Sequence, residues 1–291
     1  MRFPEYFDQA DQPVISFELF PPKTPAGLRA LQKRIIPHLV QLKPSYITVT
    51  YGAMGSTQEQ TLEIASFIKH QCRLESACHL TCVGASRDEL RDIIQRFADA
   101  GIQNIVALRG DPPQGQTDFV PPPDGFAHAN DLVGFIREIQ QAPFGIAVAG
   151  YPEKHLQAET LEADIANLRR KVDAGADTII TQLFYDNAPY FNFVEKVRAA
   201  GITVPVVPGL MPILSAGQIL RITSMCGASI PPNLQKSLEE TLDNDEKAAA
   251  IGVEQCIRQA AELLEWGVPG IHFYVLNKAV HIQKILKALP H

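Results

Sequence analysis

A carboxylate stands inside an apolar stretch at Ser16-Phe17-Glu18-Leu19-Phe20-Pro21-Pro22. An ionised side chain is expensive in such surroundings unless it is partnered. Desolvation favours the protonated form, raising the pKa toward the range that suits a general acid near neutral pH. A buried structural carboxylate paired with Arg or Lys is the competing reading, and Glu18 alone leaves both open. Arg109-Gly110-Asp111 follows the apolar run 105–108. Glycine between two charges lets backbone approach a ligand closely. Arg109 suits a phosphate bidentately and Asp111 a ring nitrogen. An integrin-type reading of this Arg-Gly-Asp has no force in a chain that reads as cytoplasmic. His79, in Cys78-His79-Leu80-Thr81-Cys82, is either a ligand contact or a satisfied core histidine. Asp164, Asn167 and Lys171, with Arg170 beside them, fall along one helical stripe. That stripe is either a solvated face or a surface beside a phosphate or ribose.

These residues need a frame. Eight short apolar runs begin at Val14, Tyr46, Ala77, Asn104, Gly145, Asp177, Val204 and Gly270. They are continuously apolar rather than alternating, as parallel strands covered on both faces should be. Helical patterns lie between them, over 28–42, 88–101, 164–176 and 254–267. Gly101, Gly175 and Gly201 each follow a helical pattern, where a left-handed residue ends a helix, and each leads into a new strand. The alternation predicts a single-domain α/β fold, a (β/α)8 TIM barrel over residues 1–291. A doubly wound sheet is disfavoured because no strand is followed by Gly-x-Gly-x-x-Gly. A barrel gathers its chemistry at the C-terminal strand ends. In order these ends carry Glu18, Tyr51, His79, Arg109 with Asp111, Tyr151, Gln182 with Tyr185, and Asn277 with Lys278. The Pro-rich segment 112–125 reads as a long βα loop covering that face.

Of 291 residues, 46% are hydrophobic and 20% charged, an ordinary globular composition. The 26 basic and 32 acidic residues give a net charge of −6 without basic blocks. Nothing electrostatic therefore points to nucleic acid or a membrane surface. The opening segment 1–13 carries charges where a signal peptide needs an apolar core. No apolar run approaches the ~20 residues of a membrane span. A soluble cytoplasmic protein is expected. The five cysteines contain no Cys-x-x-Cys pair, so reduced thiols are expected and no metal site.

Nine segments taken together resemble the bacterial methylenetetrahydrofolate reductase family: Ser16–Pro22, Val49–Ala53, His79–Cys82, Ala107–Pro113, Tyr151–His155, Lys171–Asp177, Thr181–Asp186, Pro208–Pro212 and Phe273–Asn277. They occur in register across nearly the entire chain. The resemblance implies a barrel that holds FAD without a Rossmann domain. It also implies ping-pong reduction of 5,10-methylenetetrahydrofolate to 5-methyltetrahydrofolate by NADH or NADPH, with NADH favoured, through flavin N5. By the same resemblance Glu18 is the acid that opens the folate ring, and Asp111 contacts the pterin and tunes the flavin. Gln182 is shared by folate and nicotinamide, Thr50 contacts nicotinamide, and Gln218 and Lys278 meet folate. Tyr51, Ala53, His79, Arg109, Gly110, Asp111, Ala129, Tyr151, His155, Ala158, Asp164, Asn167, Arg170 and Lys171 fall at the family's FAD positions.

Two positions depart from the family pattern. Lys278 stands where bacterial relatives often have arginine, keeping the charge but losing the planar fork. Ile222 stands where a bulky aromatic or leucine is expected beside the nicotinamide. The chain ends at His291, so a C-terminal regulatory domain and control by S-adenosylmethionine are not expected. Family habit suggests a homo-oligomer. One alternative is another flavin barrel of the proline-dehydrogenase kind. Its substrate carboxylate wants clustered arginines on the last helix, which offers Lys278, Lys284 and Lys287 instead. The other is a folate- or flavin-binding module without catalysis, against which Glu18 and Asp111 count.

Overall fold

A computed structural model describes residues 1–9, 11–51, 58–111, 120–139 and 143–289. Its strands are β1 (Val14–Leu19), β2 (Tyr46–Val49), β3 (Glu75–Thr81), β4 (Asn104–Leu108), β5 (Gly145–Gly150) and β6 (Thr178–Thr181). Three more follow, β7 (Val206–Val207), β8 (Gly209–Leu210) and β9 (Gly270–Tyr274). All pair in parallel, in the order β7-β6-β5-β4-β3-β2-β1-β9-β8. β7 and β8 are two halves of one run interrupted at Pro208, which has no N–H to give a ladder. One half pairs with β6 and the other with β9, so the sheet closes into the expected (β/α)8 barrel. Gly209 makes the closure possible. A Cβ there would sit 2.3 Å from the Thr181 carbonyl oxygen.

The period of two within each strand divides the core. Phe17, Leu19, Ile47, Val49, Leu80, Ile105 and Ile146 face outward, into the large apolar layer shared with the helices. Val14, Tyr46, Ala77, Val106, Ala147, Ile180 and Val207 form a second cluster with Phe3. Phe3 belongs to the N-terminal helix Phe3–Gln9, is fully buried, and packs edge-on against Tyr46 at 5.0 Å. Its N–H donates to Asn104 Oδ1 at 2.7 Å, at the start of β4. The N-terminal mouth of the barrel is thereby plugged, leaving the other end for chemistry.

Helix ends follow the sequence signals. The helix Arg87–Asp99 opens on a reciprocal capping box between Ser86 and Glu89. Gly101, Gly175 and Gly201 have φ of 71°, 116° and 78°, the left-handed geometry their positions required. The pattern at 28–42 forms three pieces, with a π-helical turn Leu31–Ile35 between Pro25–Ala30 and Ile36–Gln41. Pro37 lacks the N–H that a regular helix would direct to the carbonyl of Lys33, and the wider turn absorbs the mismatch. Most of the Pro-rich loop, 112–119, lies outside the described residues; Gly125 at its end bridges to Ser86. Among the described residues no helix is long and apolar enough to cross a membrane.

Candidate active site

A cavity of about 610 Å³ opens at the C-terminal ends of the strands. That is a size ordinary for a cofactor or substrate site. Glu18 reaches it from β1 because positions 14, 16 and 18 point into the barrel while 17 and 19 point out. Its side chain is 16% exposed. Oε2 is surrounded by His79 Nε2 at 3.2 Å, His272 Nε2 at 3.4 Å and Thr48 Oγ1 at 3.4 Å. The His79 contact has ion-pair spacing without hydrogen-bond alignment. Behind them the Ser16 hydroxyl meets His272 Nδ1 at 2.8 Å, both residues fully buried.

This arrangement corrects one expectation. Burial pushes the Glu18 carboxyl up, but the two imidazoles outweigh it and hold the group down, at about 2. The apolar run suggested a raised pKa because it shows no partner; the partners are imidazoles rather than Arg or Lys. They also come from strands far away in the chain. The contacts of His79 and His272 favour the carboxylate form of Glu18.

Of the FAD positions, Tyr51, His79, Arg109, Gly110, Asp111 and Ala129 all line this cavity. Tyr151, His155, Ala158, Asp164, Asn167, Arg170 and Lys171 line it too. The helix Leu161–Asp173 thus presents its 164–171 stripe to the cavity. Thr50 and Gln182 are also in the wall. Ala53 lies outside the described residues. Gln218 is half-buried in the first turn of the helix Ala216–Cys226, and Ile222 packs on the small apolar cluster beneath that helix. Lys278 is exposed at the N-cap of the helix Ala279–Ala288. The structure does not bring these three into the cavity wall. Two further strand-end residues serve the scaffold. Tyr185 donates to the Met211 carbonyl at 3.1 Å, and the Asn277 amide brackets the backbone of Phe20 through both its atoms.

The wall is chemically suited to an anionic, ring-bearing ligand. Lys171 donates to the Ala149 carbonyl at 2.6 Å, and burial lowers its pKa to about 8 although Asp164 pulls it back up. Asp164, itself buried, accepts the His155 N–H at 2.9 Å. Arg109 reaches Gln157 Oε1 at 2.6 Å. Burial, and then Arg109, lowers the pKa of His155. Its ring stands edge-on to Tyr151 at 4.8 Å. Gly110 has φ 89°, and a Cβ there would meet Val83 Cγ1 at 2.6 Å, so only glycine lets the chain pass close to the cavity. Thr81 Oγ1, also in the wall, is buried without a hydrogen-bond partner among the described residues, leaving a polar group for a ligand to meet. Three cations at one side, a glycine cradle and an orphaned hydroxyl fit a flavin dinucleotide.

Residue-by-residue reading missed Ser16, Thr48, His272 and Tyr274. Tyr274 lines the cavity and donates to the Thr181 carbonyl at 2.7 Å. The available signal was parity. Ser16 shares the inward face with Glu18, as His272 does with Tyr274, and a polar residue inside a barrel strand needs a partner there.

Comparisons with known proteins bear on the family. The model of the methylenetetrahydrofolate reductase family matches residues 3–290. The chain is 42% identical over 275 residues to methylenetetrahydrofolate reductase (NADH) 1 of Arabidopsis thaliana, covering 91% of this chain and 46% of that one. It thus spans about half the length of the plant relatives it matches. Against 5,10-methylenetetrahydrofolate reductase of Salmonella typhimurium it is 41% identical over 266 residues, covering 91% of this chain and 86% of that one. A solved Clostridium thermocellum protein, described as binding two copies of 5-methyl-5,6,7,8-tetrahydrofolic acid, superposes with a TM-score of 0.66 at 17% identity. It covers 98% of this chain and 96% of its own, and bears on the fold alone. The chain belongs to the methylenetetrahydrofolate reductase family.

Proposed function

We propose that this barrel is an FAD-dependent oxidoreductase that reduces 5,10-methylenetetrahydrofolate to 5-methyltetrahydrofolate with a reduced nicotinamide, in one-carbon metabolism leading to methionine. The observation that carries the reading is Glu18, a carboxyl group at a strand end in the wall of a cavity that Arg109, Arg170 and Lys171 also line. FAD, when bound, supplies a carrier that accepts hydride from the nicotinamide and yields it to the folate, chemistry no side chain performs. Arg109, Arg170 and Lys171 would hold its phosphates, and Asp164 and Asn167 its ribose region. Tyr51, Ala53, His79, Gly110, Ala129, Tyr151, His155 and Ala158 would complete its bed.

Glu18 would protonate the folate and open its five-membered ring to the reactive iminium. His79 and His272 hold the carboxyl at about 2. A substrate bound over the side chain would remove its remaining solvent and favour the neutral acid. Asp111 would contact the pterin, and Gln182 would serve pterin and carboxamide in turn, since an amide both donates and accepts. Its Oε1 already accepts the Leu183 N–H at 2.9 Å, which orients the side chain. Thr50 would meet the nicotinamide, with Gln218 and Lys278 at the outer end of the folate. NADH is the preferred reductant in this reading, as the names of the plant relatives specify. The protein would work in the cytoplasm as a homo-oligomer.

The test is spectroscopic. The purified protein should be yellow, its flavin absorbance bleached anaerobically by NADH or NADPH and restored by methylenetetrahydrofolate. A colourless protein that cannot take up added FAD would refute the reading.

A further inference from the structure

The polar column inside the barrel extends below the acid. Ser16 and His272 are both fully buried, face each other across paired strands, and join at 2.8 Å through Oγ and Nδ1. His272 Nε2 then points at Glu18 Oε2, the oxygen that Thr48 and His79 also approach. Oε1 has no protein partner among the described residues. Around His272 stand the Tyr274 ring, edge-on at 5.4 Å, and the Pro208 carbonyl, which accepts its backbone N–H. On the other side Ser16 is paired with Tyr46, whose buried hydroxyl approaches it. An enclosed polar column of this kind is costly unless each group is satisfied.

We infer that Ser16 and His272 are positioning residues that pin Oε2 of Glu18 and thereby keep the acid's proton on Oε1, toward the cavity. An imidazole donates from Nε2 only if that nitrogen carries hydrogen, and a neutral ring then leaves Nδ1 as an acceptor. The Ser16 hydroxyl is the donor that Nδ1 needs. One tautomer, with Nε2 protonated and Nδ1 accepting from Ser16, satisfies both of the ring's contacts. With Oε2 occupied by donors, a proton arriving on Glu18 has only Oε1 to occupy. Loss of the serine hydroxyl releases the ring to the other tautomer. Nε2 then becomes an acceptor and draws the acid's proton to Oε2, away from substrate.

This inference rests on the proposed folate reaction for its kinetic consequence but not for its structural one. In 15N-histidine spectra of the purified protein, assigned by the signal lost in His272→Asn, Nδ1 should appear unprotonated and Nε2 protonated. In Ser16→Ala that pattern should be lost, and Ser16→Thr should restore it. Flavin reoxidation by methylenetetrahydrofolate in Ser16→Ala should slow on the order of 100-fold, the scale of a misplaced catalytic group. KM should be little changed, the alkaline limb of the profile should move to higher pH, and flavin reduction by NADH should be unaltered. A protonated Nδ1 in the unsubstituted protein, or a slowed Ser16→Ala whose limb has not moved, would overturn the inference. Failure of the unsubstituted protein to be reoxidised by folate would instead strike the functional reading, leaving the tautomer measurement to decide this one.

Discussion

Glu18 shows how two opposed effects settle a protonation state. Removal from water disfavours the carboxylate, while His79 and His272 within 3.4 Å favour it, and the pair prevails. A carboxyl whose folded pKa lies below its ordinary value stabilises the fold above the unfolded pKa and loses that contribution as pH falls. The window here runs from about 4.5 down to about 2. Thermal melts of flavin-free protein should therefore lose stability across it, and Glu18→Gln should lack that component of the loss. Lys171 gives a second residue-scale prediction. If its ammonium holds a flavin phosphate, Lys171→Met should weaken FAD binding roughly 10- to 100-fold, the scale of a hydrogen bond to a charged group. A fluorescence titration checks this, and unchanged affinity would remove Lys171 from the site. The place of Glu18 was legible from its run of neighbours, but its ionisation was not. His79 lies two strands away in the sheet, and His272 lies 254 residues away in sequence. No local pattern carries such a pairing.

The strands decide which side chains can meet. All eight were legible as short apolar runs, and three helix ends were legible as glycines that proved left-handed. What the runs did not disclose is that the seventh strand is split at Pro208 and closes the barrel by its two halves. Gly209→Ala would drive a methyl group into the Thr181 carbonyl and the Tyr274 ring. It should cost about 1–3 kcal/mol of stability, the range for overpacking, read from a urea midpoint. Because Tyr274 lines the cavity, folate turnover should fall as well. Helix placement was harder to read. The 164–171 stripe has the spacing of a solvated face, and only the packing of its helix beside β5 turns it toward the cavity. Gln218 and Lys278 stand outside the cavity wall, where sequence register alone had grouped them with it.

At the scale of the whole molecule, the barrel separates stability from chemistry. Phe3, Tyr46 and their apolar neighbours close one end, and the cavity occupies the other. Phe3→Ala should destabilise the fold by about 3–5 kcal/mol, as loss of a buried aromatic ring does, while leaving both half-reactions at their original rates below the melting transition. A matching loss of activity would mean that the two ends are coupled. The central claim is that one carboxyl group serves only the folate half of a two-stage reaction. Anaerobic stopped-flow of Glu18→Gln tests it most directly. Bleaching of the flavin by NADH should proceed at close to the original rate, whereas its reoxidation by methylenetetrahydrofolate should slow by about 10²- to 10⁴-fold, the usual contribution of a general acid. Equal loss in both half-reactions would contradict the account and make Glu18 a structural residue.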